Sequence, residues 1–257
     1  DAARGLATAL LGRRERLINL SHLDGGNGDG ETLRAASTET GRLLLVTTLA
    51  RAPFVPLDDT LEHYERRLAR KALHNLRRQR RRLEEKGTVT LDIVQGDDRL
   101  AEALEEGFGI ESSGWKAKRG TAIVSDPRAR AFYTAVARWA VARGTLRLCF
   151  LRLDGHPLAF QYGLEEAGAY YFIKGGFDAR YAEFSPGQVL MHAMIEHYTR
   201  AGLTRIELLG TEERWKSVWA RASHERVLVH ALPASLLGVL QHSALLLYLH
   251  HVRPFAK

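Results

Sequence analysis

The residues best placed to do chemistry lie between Ala169 and Trp219. An aromatic strand ends in a double glycine and an irregular loop follows. Ser185-Pro186-Gly187 then opens a helix, a second strand comes next, and an acidic and aromatic turn closes the stretch. The first turn of a helix carries unpaired N–H groups and a partial positive charge, so this order offers a seat for a phosphate or diphosphate. The cradle reads as the backbone of Ser185, Gly187, Gln188 and Val189, with Pro186 fixing the helix start and Gly187 allowing close approach. Ser-Pro-Gly is also an ordinary helix opening; the strand-loop-helix context is what raises the anion reading.

Carboxylates cluster around the same stretch. Glu212 sits just past a strand end, where sites in open α/β sheets gather, and Trp215 and Trp219 would partly screen it for proton removal. The alternative is a solvated carboxylate paired with Arg214 or Lys216, which is the cation of the turn. Glu207 lies on the strand and faces either side, and Asp178 in the loop serves equally as a local cap for Arg180 or Tyr181. Gln161 and Lys174, on neighbouring strands, would orient an acceptor or sit at a polar rim. Strict alternation puts Tyr171 with Ile173, and Tyr170, Phe172 and Lys174 on the opposite face. The spacing of His192, Glu196 and His197 fits neither zinc-helix pattern. His192 and Glu196 instead join Gln188 and Thr199 in a polar stripe. Cys149, in mid-strand, reads as core. As the lone cysteine it excludes an internal disulfide and points to a reducing compartment.

These residues need a scaffold, and the pattern supplies one. Leu61, Tyr64, Leu68, Ala72, Leu76 and Leu83 predict one long helix from Leu61 to Lys86. Thr88–Val94 predicts a strand and Asp97–Phe108 a helix. Asp126 and Pro127 begin another helix as N-cap and first residue, with Phe132, Val136, Trp139 and Ala140 on its apolar face. Three strands follow, Leu146–Leu153, Leu158–Glu165 and Ala169–Gly175, joined at Asp154-Gly155 and Ala167-Gly168 by turns that need positive φ. The helix from Ser185 stops at Gly202, Arg205–Leu209 is a strand, and Arg226–Ala231 is the last. The order from Thr88, β-α-α-β-β-β-α-β-turn-β, is that of the GNAT acyltransferase fold: α/β, a mixed central sheet flanked by helices.

Ala69-Arg-Lys-Ala-Leu-His-Asn-Leu-Arg-Arg, FDARYAEFSPG and IELLGTEERWKSVWA resemble the CelD-type acetyltransferases of the GNAT superfamily, over roughly Leu61 to Ala220. These are linked to cellulose and exopolysaccharide synthesis and are related to Fem-type aminoacyl transferases, which carry two GNAT-like halves. The family pattern is close to F-D-F-L-R-G-D-E-x-Y-K-x-x-W. Here Thr211 replaces a glycine, Glu212 an aspartate and Trp215 a tyrosine, while Lys216 and Trp219 are kept. The loop at Ser185 departs from the usual GNAT Gln/Arg-x-x-Gly-x-Gly. The resemblance implies an acetyl-CoA or other acyl-CoA cofactor with its diphosphate at Ser185–Val189, and direct attack on the thioester by an amine or hydroxyl. The acceptor would be a small molecule, saccharide or envelope precursor. Glu212, Glu207, Asp178 and Lys216 are then the catalytic candidates, and Gln161, Lys174, Trp215 and Trp219 the substrate-binding ones. Two alternatives are a Fem-like transferase using aminoacyl-tRNA and a non-catalytic GNAT-like module binding nucleic acid or anionic polymer.

Composition sets the outer bounds. Hydrophobic residues at 45% suffice for a core, and the net charge is +7. Arg66–Lys86 alone carries +8, so the rest of the chain is close to neutral. That segment reads as a solvated face, as a dock for an acidic partner, or as a nucleic-acid surface, the last weakened because no aromatics interleave the arginines. The expected divisions are 1–60, a partial second GNAT-like half that reads as truncated; 61–87, a basic linking helix; 88–232, the acyltransferase domain; and 233–257, a leucine-rich helix. Asp1 is not an initiator methionine, so the chain reads as a fragment. Leu236–Val252 is too short in unbroken apolar residues to span a bilayer, which needs about 20. The expected location is cytoplasmic or peripheral to the inner face of a membrane.

Overall fold

The computed structural model describes residues 2–26, 29–57, 60–113 and 122–248. Its regular elements in chain order are α1 (Ala2–Leu11), β1 (Ile18–Asp24), α2 (Asp29–Thr40), β2 (Arg42–Pro56), α3 (Leu61–Arg66), α4 (Arg70–Glu84), β3 (Val89–Val94) and α5 (Leu100–Ser112). Then follow α6 (Pro127–Ala142), β4 (Leu146–Leu153), β5 (His156–Glu166), β6 (Ala169–Phe177), α7 (Pro186–Ala201), β7 (Arg205–Glu207), β8 (Ala222–Pro233) and α8 (Leu236–Leu247). The chain forms two compact units, residues 1–52 with 223–257, and residues 53–222. The division differs from that expected: the basic helix falls inside the second unit, and the leucine-rich tail groups with the N-terminal residues.

In the first unit β1 runs antiparallel to β8, and Leu11, Leu33, Ala36, Val227, Val229 and Ala231 form its core. The sequence left this region ambiguous; Arg13–Leu20 is loop followed by strand, and α1 and α2 were not foreseen. Gly25–Gly30 reads by its composition as a flexible loop; it falls partly outside the described residues, and α2 already begins at Asp29. Of the tail, Leu236–Leu247 is helical with most leucines exposed, and residues 249–252 lie outside the described residues.

In the second unit the sheet order is the end of β2, then β7, β6, β5, β4 and β3. Every pair is antiparallel except β6 with β7. Turn chemistry does what composition requires: Asp154 and Gly155, and Ala167 and Gly168, all adopt positive φ between paired strands. Asp126 accepts the Arg128 N–H at the start of α6, and Gly202 ends α7 at φ 78°. One face of the sheet packs on α3, α4 and α7 through Tyr64, Leu76, Leu83, Leu190, Met194 and Tyr198. The other packs on α5 and α6 through Leu104, Phe108, Ala137, Ala140 and Phe150.

Three local expectations are corrected. The helix from Leu61 to Lys86 is broken at Arg67–Ala69, where Ala69 turns to φ −60°, ψ 130°. The break lets Tyr64 bury its ring and donate its hydroxyl to Trp219 O at 2.8 Å while Leu76 and Leu83 reach the same core. On α6 the buried face is Ala137 and Ala140, and Phe132 and Trp139 are exposed; close approach to the sheet is made by small residues. The apolar, β-branched run Arg42–Leu49 reads as a strand closed by Pro53 and Pro56, but the strand runs on to Pro56, and Pro53 O accepts the Leu208 N–H.

Gly176 shows how tightly β6 is held to α5: a Cβ there would lie 2.7 Å from Glu111 Cα. Gly176→Ala is expected to destabilise the protein by about 1–3 kcal/mol in urea unfolding, because backbone must yield.

Candidate active site

The site exists because two strands part. β7 pairs with β6 only at Ala169–Arg205, Tyr170–Ile206 and Tyr171–Glu207. Beyond Tyr171, β6 continues to Phe177, and among the described residues the strand it pairs with there is β5. Just past the last β7 pair, β6 carries a bulge: Phe172 faces Gly163 and Lys174 faces Tyr162, leaving Ile173 as the extra residue. A bulge bends and twists its strand. On the other side Leu209 and Gly210 take φ 53° and 58° and lead the chain away. Lys216 secures that bend, donating to Leu209 O at 2.9 Å and Thr211 O at 3.0 Å. The result is a cavity of about 830 Å³ between the strands, with Trp215, Trp219 and the start of α7 on its walls.

The bulge also breaks the expected alternation. Tyr170 and Phe172 pack toward α7, but Ile173 and Lys174 both turn to the α5 and α6 side. Lys174 Nζ lies 3.4 Å from Glu111 Oε1 and over the Tyr133 ring. The Glu111 side chain is fully buried, and its Oε2 accepts the Ile123 N–H at 2.9 Å. Gln161, also buried, accepts from the Tyr170 hydroxyl at 3.3 Å. Gln161, Lys174, Trp215, Trp219, Lys216, Ser185, Gly187 and Gln188 all line the cavity, so the structure brings most of the expected set together. Pro186 and Val189 complete the first turn of α7.

The amide cradle is smaller than expected. Ser185, in the left-handed conformation, donates its own N–H to Ala182 O, and its carbonyl accepts from both Gln188 and Val189. Among the described residues only Gly187 keeps an N–H of that turn outside the backbone bonding, and the Ser185 hydroxyl makes no capping bond.

The three expected bases fare differently. Glu212 is exposed and does not line the cavity, so the indole rings do not screen it. Its neighbour Glu213 lines the wall instead, accepting from Trp215 Nε1 at 3.1 Å and pairing with Lys216 at 2.8 Å. With its contacts to Leu209, Thr211 and Glu213, the Lys216 ammonium has all three donors engaged. Glu207 is buried on β7 against Arg205 at 2.7 Å, outside the cavity. Asp178 is also outside it. Arg180's guanidinium, seconded by its backbone N–H, holds the Asp178 carboxyl below the usual range, the opposite of what a base needs. Sequence reasoning missed Glu111 and Glu213. The signal for Glu111 was present: it continues the buried stripe of Leu104 and Phe108 on α5 as an acid where an apolar residue belongs.

The sequence family described as Acetyltransferase (GNAT) domain matches residues 70–217, more than half of the chain. The chain belongs to the GNAT acetyltransferase domain family. Curated proteins yield no match. Among solved structures, the GNAT chain is similar to the C-terminal domain (DUF2156) of a putative lysylphosphatidylglycerol synthetase from Agrobacterium fabrum. The two are 14% identical, with 89% of this chain and 72% of that one covered and a TM-score of 0.55. L-PGS from Bacillus licheniformis aligns at 14% identity over 86% and 69% of the chains, TM-score 0.55. A conserved protein of unknown function from Bacteroides thetaiotaomicron aligns at 12% over 89% and 75%, TM-score 0.57. At such identities the likeness is one of fold. Among the described residues no helix is long and apolar enough to cross a membrane, and no side-chain cluster could hold a metal ion.

Two outcomes follow. Asp178→Asn keeps a capping oxygen but removes the charge paired with Arg180, and is expected to cost about 0.5–1 kcal/mol at neutral pH. A lowered folded-state pKa contributes stability above the unfolded value that is lost as pH falls through the folded one. The gap between variant and parent in thermal unfolding should therefore close below about pH 4. Burial pushes the Cys149 thiol up to about 12, so iodoacetamide at pH 8 should label Cys149 only after denaturation, as mass spectrometry would read.

Proposed function

We propose that the chain is an acyl-CoA-dependent N- or O-acyltransferase, with acetyl the expected group and a sugar, polysaccharide or envelope precursor the acceptor, as in the CelD-type proteins its motifs resemble. The observation that carries this reading is the parting of β6 from β7 over a cavity that begins at the α7 N-terminus. A cofactor bound there would supply an activated thioester carbonyl. The Gly187 N–H and Ser185 hydroxyl fit its diphosphate, and the walls from Phe172 to Trp219 fit an extended apolar arm.

The chain's own part is positioning, polarisation and proton removal. Among the described residues no strand pairs with the β7-facing edge of β6 past Tyr171, and that edge would present the backbone N–H of Phe172 or Ile173 toward a developing oxyanion. Glu111 is the buried carboxylate of the cavity, and Lys174 beside it fixes its orientation. The attacking amine or hydroxyl would form a bond to the carbonyl carbon as its proton passes to Glu111, and the carbon–sulfur bond would break to expel a thiolate, which takes that proton back from Glu111 and leaves as the thiol. Glu212, from the surface, would contribute to acceptor approach rather than to proton transfer.

A second reading, transfer of an aminoacyl group, draws support from the basic helix α4 and from the fold shared with the putative lysylphosphatidylglycerol synthetase. The donor separates the two. Acetyl-CoA should raise the melting temperature and, with an amine or amino-sugar panel, release free thiol. No shift at millimolar acetyl-CoA, with turnover of aminoacyl-tRNA, would establish the second reading. Glu111→Gln should lower kcat by about 10²-fold or more with the melting shift kept, while Glu212→Gln should stay within about twofold of the parent. The reverse ranking would return the base to Glu212.

A further inference from the structure

The arginine helix is not uniform. Arg77 pairs with Glu65, Arg80 with Glu84 and Glu196, Arg81 with Glu85, and Arg82 with Glu183. The polar stripe of α7 is the other half of this arrangement: His192 bonds Glu65 at 2.7 Å, and Glu196 meets Arg80 at 3.3 Å. One position toward the start of α7 the stripe residue is Gln188, which is neutral, and the guanidinium on that side is Arg78, which meets no carboxylate among the described residues.

Between them lies a second cavity of about 260 Å³. Its polar lining is Arg78, Asn75, Gln79, Ser185 and Gln188; no Asp or Glu contributes. The Gln79 carbonyl oxygen accepts from Arg82, which leaves its amide N–H groups as donors. Trp219 walls the same cavity, 1% exposed, with an indole N–H that has no acceptor among the described residues. Ser185, Gln188 and Trp219 also line the larger cavity, so the two adjoin. A pocket with one cation, several neutral donors and no acid is complementary to an oxyanion.

We propose that this cavity is a phosphate subsite in which Arg78, with Asn75 and Gln79, supplies donors that the first turn of α7 lacks. Two of that turn's amides are spent on the Ser185 carbonyl, so side chains from α4 complete what backbone alone does not. The subsite takes the diphosphate or ribose phosphate of the donor; that identity rests on the acyl-CoA reading, whereas the phosphate chemistry does not.

The test uses the intact protein with inorganic pyrophosphate and adenosine 3′,5′-bisphosphate as probes, by calorimetry and thermal shift. Arg78→Ala should weaken both probes about tenfold or more, the effect of losing one charge-assisted contact. Arg78→Lys should recover part of the loss. Arg81→Ala, the same loss of charge at a paired, exposed arginine, should bind as the parent does. Equal weakening by Arg81→Ala, unchanged binding in Arg78→Ala, or no binding of pyrophosphate by the parent would each overturn the subsite. If the probes depend on Arg78 but acetyl-CoA neither binds nor reacts, the acyl-CoA reading falls and the subsite stands. If the probes depend on Arg78 but acetyl-CoA reacts with a KM indifferent to it, the assignment of the subsite to the donor falls alone.

Discussion

Everything at this site depends on β6 and β7 being parallel neighbours that stop pairing after Tyr171. Parallel strands that stay paired leave no room between them. Here the separation is enforced from both sides, by the bulge at Ile173 and by the left-handed bend at Leu209 and Gly210. A non-glycine residue such as Leu209 in that region costs on the order of 1–2 kcal/mol. The Lys216 ammonium, buried and bonded to the carbonyls on either side of Gly210, offsets that cost. Lys216 is thus explained by its position as a fastening of the bend.

The basic segment acquires a structural meaning once α4 is placed against α7. Most of its arginines are spent on acids within the unit, four on Glu65, Glu183, Glu196 and the helix's own glutamates. Exposed pairs of this kind contribute little each. Their effect here is mutual orientation of two helices whose polar stripes meet, and the uneven match near Gln188 leaves a cationic pocket beside the main cavity.

Much of the fold was legible because its punctuation is local. Asp126-Pro127, Asp154-Gly155, Ala167-Gly168 and Gly202 each fix a cap or turn by their own backbone preferences, and the structure places all four as read. What failed to show has no local mark. The break at Arg67–Ala69 contains neither glycine nor proline, and it follows from the burial of Tyr64 against Trp219. The bulge at Ile173 follows from β6 serving α5 and α7 at once, and it moves Lys174 from the face that alternation assigned. The same holds at the turn after β7, where adjacent exposed glutamates divide: Glu213 lies on the cavity wall and Glu212 does not. Helix α6 misled because apolar residues were counted without regard to size: Ala137 and Ala140 allow contact, and Phe132 and Trp139 remain outside.

The central claim is that the gap between β6 and β7 receives the thioester arm of a cofactor whose phosphates rest at the start of α7. A crystal structure with acetyl-CoA bound tests it most directly. The account predicts the arm running along β6 past Phe172 with its carbonyl near Glu111 and its diphosphate at Gly187. Electron density for the cofactor outside that gap, or β6 and β7 found paired through Phe177, would contradict it.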